Sequence, residues 1–257
     1  MKVLSLGAGV QSSTVLLMSI SGELPKLDAV IFADTGWEPP EVYKYLEYLQ
    51  TLHPIYIVSV GNIREDVLMS QVRDTKRWTS IPLYTKDKDG NVGSIRRQCT
   101  NEYKITPIRR KIRELLNNRK PKRSEVELWM GISFDERQRC SYSKVQYIDH
   151  YYPLVDMEMT RHDCLKWIDK HKLPIPSRSA CIGCPYHSNV EWKAIKADPV
   201  TWKDAVSFDK AIRNKGGMRG QLFLHRSCKP LDEIDFDTAE NKGQLNWLTE
   251  CAGICGV

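Results

Sequence analysis

Hydrophobic and polar positions follow two periods along the first half of the chain. Short apolar runs at residues 3–6, 28–34, 55–60 and 126–132 read as strands, the first of them buried, and the stretches 13–20, 41–52, 64–72 and 104–116 read as amphipathic helices. Strand and helix in alternation predict an α/β fold, a parallel sheet wrapped by helices with ligand sites at the carboxyl ends of the strands. Between residues 74 and 97 the pattern lapses into Lys86-Asp87-Lys88-Asp89-Gly90-Asn91, a polar turn that reads as an insertion forming a hairpin or a mobile lid. After Pro153 the pattern becomes helical and loop-like. Thr160 begins a helix over 161–171, residues 173–176 stop it, 199–213 form another, and Gly216-Gly217 breaks into the final segment. The expected organisation is an α/β domain over 1–156, with the insertion, and a mostly helical, cysteine-bearing region over 157–257.

The first predicted strand, which includes Ser5, runs into Gly7-Ala8-Gly9-Val10-Gln11-Ser12-Ser13 at the start of the first helix. Small residues let backbone N–H groups approach an anion, and the helix adds roughly half a positive charge where Ser12 and Ser13 can also donate hydrogen bonds. The same pattern also caps helices that bind nothing. The loop lacks the Gly-Lys-Ser/Thr of a Walker A motif, and Ser12 stands where a dinucleotide loop has its third glycine. The second strand ends in Asp34-Thr35-Gly36, followed by a proline-initiated helix at Pro39-Pro40-Glu41. A second parallel strand ends beside the first loop, so Asp34 is placed to reach the ribose or adenine edge of a nucleotide held on Gly7 to Ser13.

Of 257 residues, 41% are hydrophobic and 27% charged, and no apolar run approaches the roughly 18 residues a membrane span needs. Lys2 precedes a strand interrupted by glycines, unlike the apolar core of a signal peptide, so a cytoplasmic protein is expected. In that compartment the eight cysteines suggest metal or redox chemistry more than disulfides. A net charge of +6 is concentrated at Arg96-Arg97, Lys104, Arg109-Arg110-Lys111-Arg113 and Arg119-Lys120-Pro121-Lys122-Arg123. That stripe suits either a nucleic-acid backbone or water, since no aromatic ladder runs through it.

Four segments in order resemble the phosphoadenylyl-sulfate (PAPS) reductases and the wider PP-loop ATP pyrophosphatases. Gly9, Ser12 and Ser13 agree with the PP-loop pattern, whereas Gly7, Ala8 and Gln11 replace its Ser, Gly and Asp. Asp34-Thr35-Gly36 with the following Pro-Glu is similar to the next motif. Gln98-Cys99-Thr100-Asn101-Glu102-Tyr103-Lys104 through Pro107 resembles the Cys-Cys-x-x-x-Lys-x-x-Pro segment, and Gly131 to Arg139 the Gly-x-x-x-x-Glu-Ser-x-x-Arg segment. The resemblance implies a Rossmann-like (HUP-type) sheet. It implies that Ser5, Gly7, Ala8, Gly9, Gln11, Ser12, Ser13, Asp34, Thr35 and Gly36 bind ATP or an adenylyl-sulfate-type nucleotide, with Lys104 and Arg137 as cationic clamps.

Cys181-Ile182-Gly183-Cys184 sets two thiolates on one turn, a spacing that suits zinc or an iron–sulfur cluster. In the cluster-bearing relatives the other ligands come from the segment matching Cys99, whose tandem cysteine is Gln98 here. Two repairs stay open: a fourth ligand from the tail, Cys255 first and Cys251 next, or a 4Fe-4S cluster with three protein ligands and an open iron. Thr249-Glu250-Cys251 also resembles the Glu-Cys-Gly tail of the reductases, which makes Cys251 a nucleophile in the alternative reading. Cys140, Cys164 and Cys228 are expected to be structural.

The leading expectation is a PP-loop enzyme that adenylates a substrate, with a nucleic-acid base as the acceptor suited to the basic stripe, for sulfur transfer helped by a 4Fe-4S cluster. The first rival is a sulfonucleotide reductase using Cys251, and the second a nucleotide-binding module that senses redox state. Expected partners are the nucleotide, a sulfur donor or a thioredoxin-like electron donor, and a second copy of the chain in a homodimer.

Overall fold

The computed structural model describes residues 1–69, 81–119, 121–215, 218 and 220–237. Cys251 and Cys255 lie outside them. The chain runs β1 (Lys2–Leu6), α1 (Val10–Ser21), β2 (Ala29–Asp34), α2 (Pro40–Leu52), β3 (Tyr56–Ser59) and α3 (Ile63–Met69). A hairpin of β4 (Tyr84–Lys86) and β5 (Val92–Ser94) follows, then a π-helical stretch at Thr100–Ile105 that continues into α4 (Thr106–Leu115). Next come β6 (Val126–Met130), a 3-10 turn at Phe134–Arg139, β7 (Ile148–Tyr151), α5 (Pro153–Asp156) and α6 (Arg161–Lys170). The last elements are α7 (Asn189–Ala197), α8 (Pro199–Ile212), β8 (Gln221–Phe223) and a 3-10 turn at Leu231–Glu233.

Five strands form one parallel sheet in the order β3-β2-β1-β6-β7, flanked by helices in a Rossmann-like α/β arrangement. The inner strands are buried along nearly their whole length, as Ala-Val-Ile-Phe-Ala-Asp in β2 is, because helices cover both faces. After β3 the chain crosses back to lay β6 against β1. The strand order therefore reverses between β1 and β6, and the crevice at that point opens beside the Gly7 to Ser13 loop. Local chemistry sets the helix ends. Pro40 opens α2, Gly22 closes α1 with φ at +84°, and Thr160 with Asp163 forms a capping box on α6.

The described part of the insertion, from residue 81, forms a hairpin whose β4 pairs on its other side with β8, giving a second, antiparallel sheet in the order β5-β4-β8. The hairpin is thus docked on a strand from the far end of the chain. Side-chain packing joins segments from both halves of the chain. Cys164 and Ile168 of α6 pack with Leu4, Leu6, Val15 and Trp129 in the core under the sheet. Ile63, Val67, Leu83 and Tyr103 pack with Trp192, Phe208 and Ile212 in the core shared with the C-terminal helices.

Candidate functional site

The cradle loop is buried and held by its own side chains. Gly7 N donates to Ser12 Oγ at 3.1 Å, Ser13 N donates to Gly9 O at 3.0 Å, and Ala8 adopts a left-handed φ of +56°. Gly131, just past β6, presses on the loop so closely that a methyl carbon there would sit 2.4 Å from Ser12 N. Ser179 covers the other side, its Cβ 3.6 Å from where a Gly9 Cβ would stand. Ser5 Oγ, Ser133 Oγ and Ser179 Oγ are buried without a hydrogen-bond partner among the described residues. A buried, unsatisfied hydroxyl costs roughly 1–3 kcal/mol, so three of them around one loop end suit a ligand that bonds to them.

Gln11 faces Glu136, its Nε2 3.5 Å from Glu136 Oε2, and Arg139 donates to that same oxygen at 2.7 Å. Glu136 is 1% exposed. The position that carries Asp in the PP-loop pattern is thus neutral here, and a buried carboxylate reaches it from the end of β6. Sequence reasoning named Arg137. The structure places Arg137 at the surface, its guanidinium 4.6 Å over the Phe134 ring, and turns Arg139 toward the loop. The signal for Glu136 and Arg139 was their place in the Gly131 to Arg139 motif, which does not say which arginine turns inward.

At the end of β2, Asp34 Oδ1 accepts from Gly36 N at 2.8 Å and from the Tyr43 hydroxyl at 2.9 Å, which fixes the Asp-Thr-Gly turn. Gly36 has φ at +72° and lies against Asn62, where a side chain would meet the Asn62 Cα at 3.0 Å. Burial and the nearby carboxylates push the Tyr43 hydroxyl well above the usual phenol range, so it remains a donor.

Cys99, Cys181 and Cys184 line one small pocket with Thr35, Trp37, Ile63, Ile81, Arg97 and Lys104. The cysteine turn is pinned to the β2 turn. Ile182 N donates to Trp37 O at 2.9 Å, and a side chain at Gly183 would overlap the Trp37 ring. Trp37 is itself fixed by Asp204, which accepts from its Nε1 at 2.6 Å, and by the Phe208 ring. Thr35 Oγ1 donates to Glu38 Oε1 at 3.1 Å, which leaves its lone pairs for the Cys181 thiol 3.1 Å away. Lys104 Nζ lies 3.8 Å from the same Glu38 oxygen, a buried ion pair beside the sulfur. Burial and then the Glu38 charge hold the Cys181 thiol well above its ordinary pKa, against the pull of Lys104. A buried thiol of this kind is unreactive unless a cationic group converts it to thiolate.

Glu38 and His187 were not singled out from the sequence. His187 Nε2 lies 3.0 Å from Cys181 O, and burial lowers its pKa to about 4, so a neutral imidazole braces the cysteine turn. Its signal is the spacing of Cys181, Cys184 and His187. Among the described residues no group of three or more His, Cys, Asp or Glu side chains converges as on a single ion. Cys140, Cys164 and Cys228 lie outside the pocket; burial raises all three thiols, Cys164 to about 12.

The basic stripe divides. Lys104 is buried in the site, whereas Arg110, Arg113, Arg119, Lys122 and Arg123 are exposed along α4 and the loop after it. The ten residues of α4 carry the chain about 15 Å from that end of the site. Arg97 stays at the pocket, stacked 5.3 Å over the Tyr186 ring. No described helix is long and apolar enough to cross a membrane.

Residues 2–177 match the family model described as phosphoadenosine phosphosulfate reductase domain. No curated protein matches the chain in sequence. Among solved structures, phosphoadenylyl-sulfate (PAPS) reductase from Candida auris, in a phosphate complex, is similar at a TM-score of 0.45 and 14% identity, over 68% of this chain and 74% of that one. With its family match spanning the five-stranded sheet, the cradle, the β2 turn and Cys99, the chain belongs to the phosphoadenosine phosphosulfate reductase domain family.

Proposed function

We propose that the chain is an ATP-using enzyme of sulfur chemistry: an oxygen of the acceptor attacks the α-phosphorus, pyrophosphate leaves, and a sulfur nucleophile then displaces AMP. The observation that carries this reading is that Cys99, Cys181 and Cys184 share one pocket with Thr35 and Lys104, at the end of the strand next to the cradle. Phosphate and sulfur functions are then neighbours. The soft donor set and its apolar wall of Trp37, Ile63 and Ile81 fit a 4Fe-4S cluster, which spreads its cysteine ligands more widely than one zinc ion does. Cys99, Cys181 and Cys184 would hold it, with Cys255 or Cys251 as a fourth ligand. When bound, such a group supplies electron or sulfide chemistry.

The chain's own residues have separable tasks in this reading. Backbone N–H groups from Gly9 to Ser12 and the hydroxyls of Ser5, Ser12, Ser133 and Ser179 bind phosphate oxygens, and the start of α1 stabilises charge building on the leaving pyrophosphate. Lys104, anchored by Glu38, lines the cysteine pocket and serves as a cationic clamp. Asp34 orients the nucleoside through the turn it fixes. The acceptor suited to Arg97 and Tyr186 at the pocket rim is a nucleic-acid base, which stacks on such a pair.

The family match favours a second reading, a sulfonucleotide reductase in which Cys251 attacks the sulfur of adenylyl-sulfate or phosphoadenylyl-sulfate and a thioredoxin-like protein supplies electrons. One assay separates the two. Protein is incubated anaerobically with ATP and a sulfur donor, or with adenylyl-sulfate, and pyrophosphate and sulfite are measured. Pyrophosphate release supports adenylation; sulfite without pyrophosphate overturns it. Tight ATP binding with turnover of neither points instead to a redox-sensing module.

A further inference from the structure

A second cavity, of about 770 Å³, opens between the small antiparallel sheet and the end of α8, and it shares no residue with the cradle or the cysteine pocket. We propose that it is an oxyanion site for a phosphate ester, distinct from the nucleotide site. Its lining brings together Lys86, Lys88, Arg213, Lys215 and Lys229 against one acid, Asp87. That carboxylate is spent on its own turn. Asp87 Oδ1 accepts from Asp89 N and Asn91 N, and Oδ2 accepts from Asn91 Nδ2.

The cavity is built rather than incidental. A side chain at Gly220 would collide with the Lys86 carbonyl oxygen at 2.4 Å, so the chain entering β8 lies directly on the strand that carries Lys86. Arg213 is fixed as a floor, ion-paired with the buried Asp209 and stacked 3.8 Å over the Phe223 ring. Lys215 is 7% exposed, and burial lowers its amine to about 8. A concave wall with four lysines besides the paired Arg213 focuses positive potential, and ammonium groups on flexible stems suit a phosphate as point charges. The volume takes a sugar-phosphate unit with room to spare. Two sources provide that chemistry: a free phosphorylated small molecule or the backbone of a nucleic-acid strand.

The test uses the full chain and two probes, inorganic pyrophosphate and a short single-stranded oligodeoxyadenylate. Lysine acylation is followed residue by residue by mass spectrometry, and oligonucleotide affinity by fluorescence anisotropy over a range of salt. Slower acylation of Lys86, Lys215 and Lys229 with pyrophosphate assigns the site to free phosphates; slowing by the oligonucleotide alone assigns it to a strand. The double variant Lys86→Glu/Lys229→Glu changes exposed side chains only. If the strand is the ligand, this variant weakens oligonucleotide binding roughly tenfold and lowers the slope of log affinity against log salt by about two. If free phosphate is the ligand, the variant loses the protection that pyrophosphate gave Lys215. Unchanged acylation with both probes overturns the proposal. ATP binding at the cradle, measured in the same variant, is expected to be unaltered, so failure here is separable from failure of the adenylation reading.

Discussion

Gly131→Ala tests the cradle through the close contact of Gly131 with Ser12. The added methyl would lie 2.4 Å from Ser12 N, 2.5 Å from Ser12 Cα and 2.8 Å from Ser12 Cβ, about 1 Å inside ordinary van der Waals contact. Neither neighbour yields easily. Gly131 follows β6, which is hydrogen-bonded on both sides, and Ser12 lies in the first turn of α1, whose Val15, Leu16 and Met18 are fully packed. Overpacking of this kind costs about 1–3 kcal/mol, which at this size lowers the melting temperature by roughly 2–12 °C. The larger effect falls on function, because a 1 Å displacement of backbone donors costs on the order of a hundredfold in a positioned reaction. Gly9→Ala provides the contrast. Its methyl meets Ser179 only at 3.6 Å and its φ of −95° is ordinary, so its melting temperature should match the parent. Calorimetric titration with a non-hydrolysable ATP analogue and thermal melts of both variants check this. Unchanged melting and affinity in Gly131→Ala would show that the loop does not depend on this contact.

Four further outcomes are expected. Anaerobically purified protein should contain iron and sulfide that Cys181→Ser and Cys184→Ser lose and Cys164→Ser keeps; zinc in place of iron would refute the cluster. Gly183→Ala drives a methyl into the fixed Trp37 ring, so it should lower stability by about 1–3 kcal/mol and reduce iron content in the same preparation. Lys104→Met leaves Glu38 buried beside Cys181 and should cost about 3 kcal/mol in denaturant unfolding, most of it recovered by adding Glu38→Gln; no recovery would mean that the pair is not coupled. His225 is buried between Asn189 and Ser227, and burial with the Arg226 charge lowers its pKa to about 4. The folded state then resists a proton that the unfolded chain takes up below about pH 6.5, so stability is full above that value and falls by up to about 1.4 kcal/mol per pH unit down to pH 4. Asp87, Asp163, Asp198 and Asp232, whose pKa values are lowered, lose their contribution only at lower pH. Denaturant midpoints at pH 7 and pH 5 for the parent and His225→Gln check the slope; an equal slope in both would remove His225 as its source.

Period and punctuation along the chain were enough to place most of the first-half elements. The apolar runs of β1, β2 and β6 are buried on both faces, so hydrophobicity alone marks them, and Thr160 and Pro199 announce their helices through local capping chemistry. The half-exposed β7 and the three-residue β8 carry no such signal, and neither was legible. Small residues at Gly7 to Ser13 and the Asp34-Thr35-Gly36 sequence also marked two tight turns at neighbouring strand ends, because such turns are set by backbone within a few residues. The tertiary structure alone decided which side chains share that space. Gln11 meets Glu136 across 125 positions, and Thr35 meets Cys181 across 146. The pairing of Arg139 with Glu136, the burial of Lys104 on Glu38, and the docking of the 84–94 hairpin on β8 are of the same kind. Periodicity records how a segment faces its own surroundings; which distant segment supplies them depends on the spatial order of the strands in the sheet.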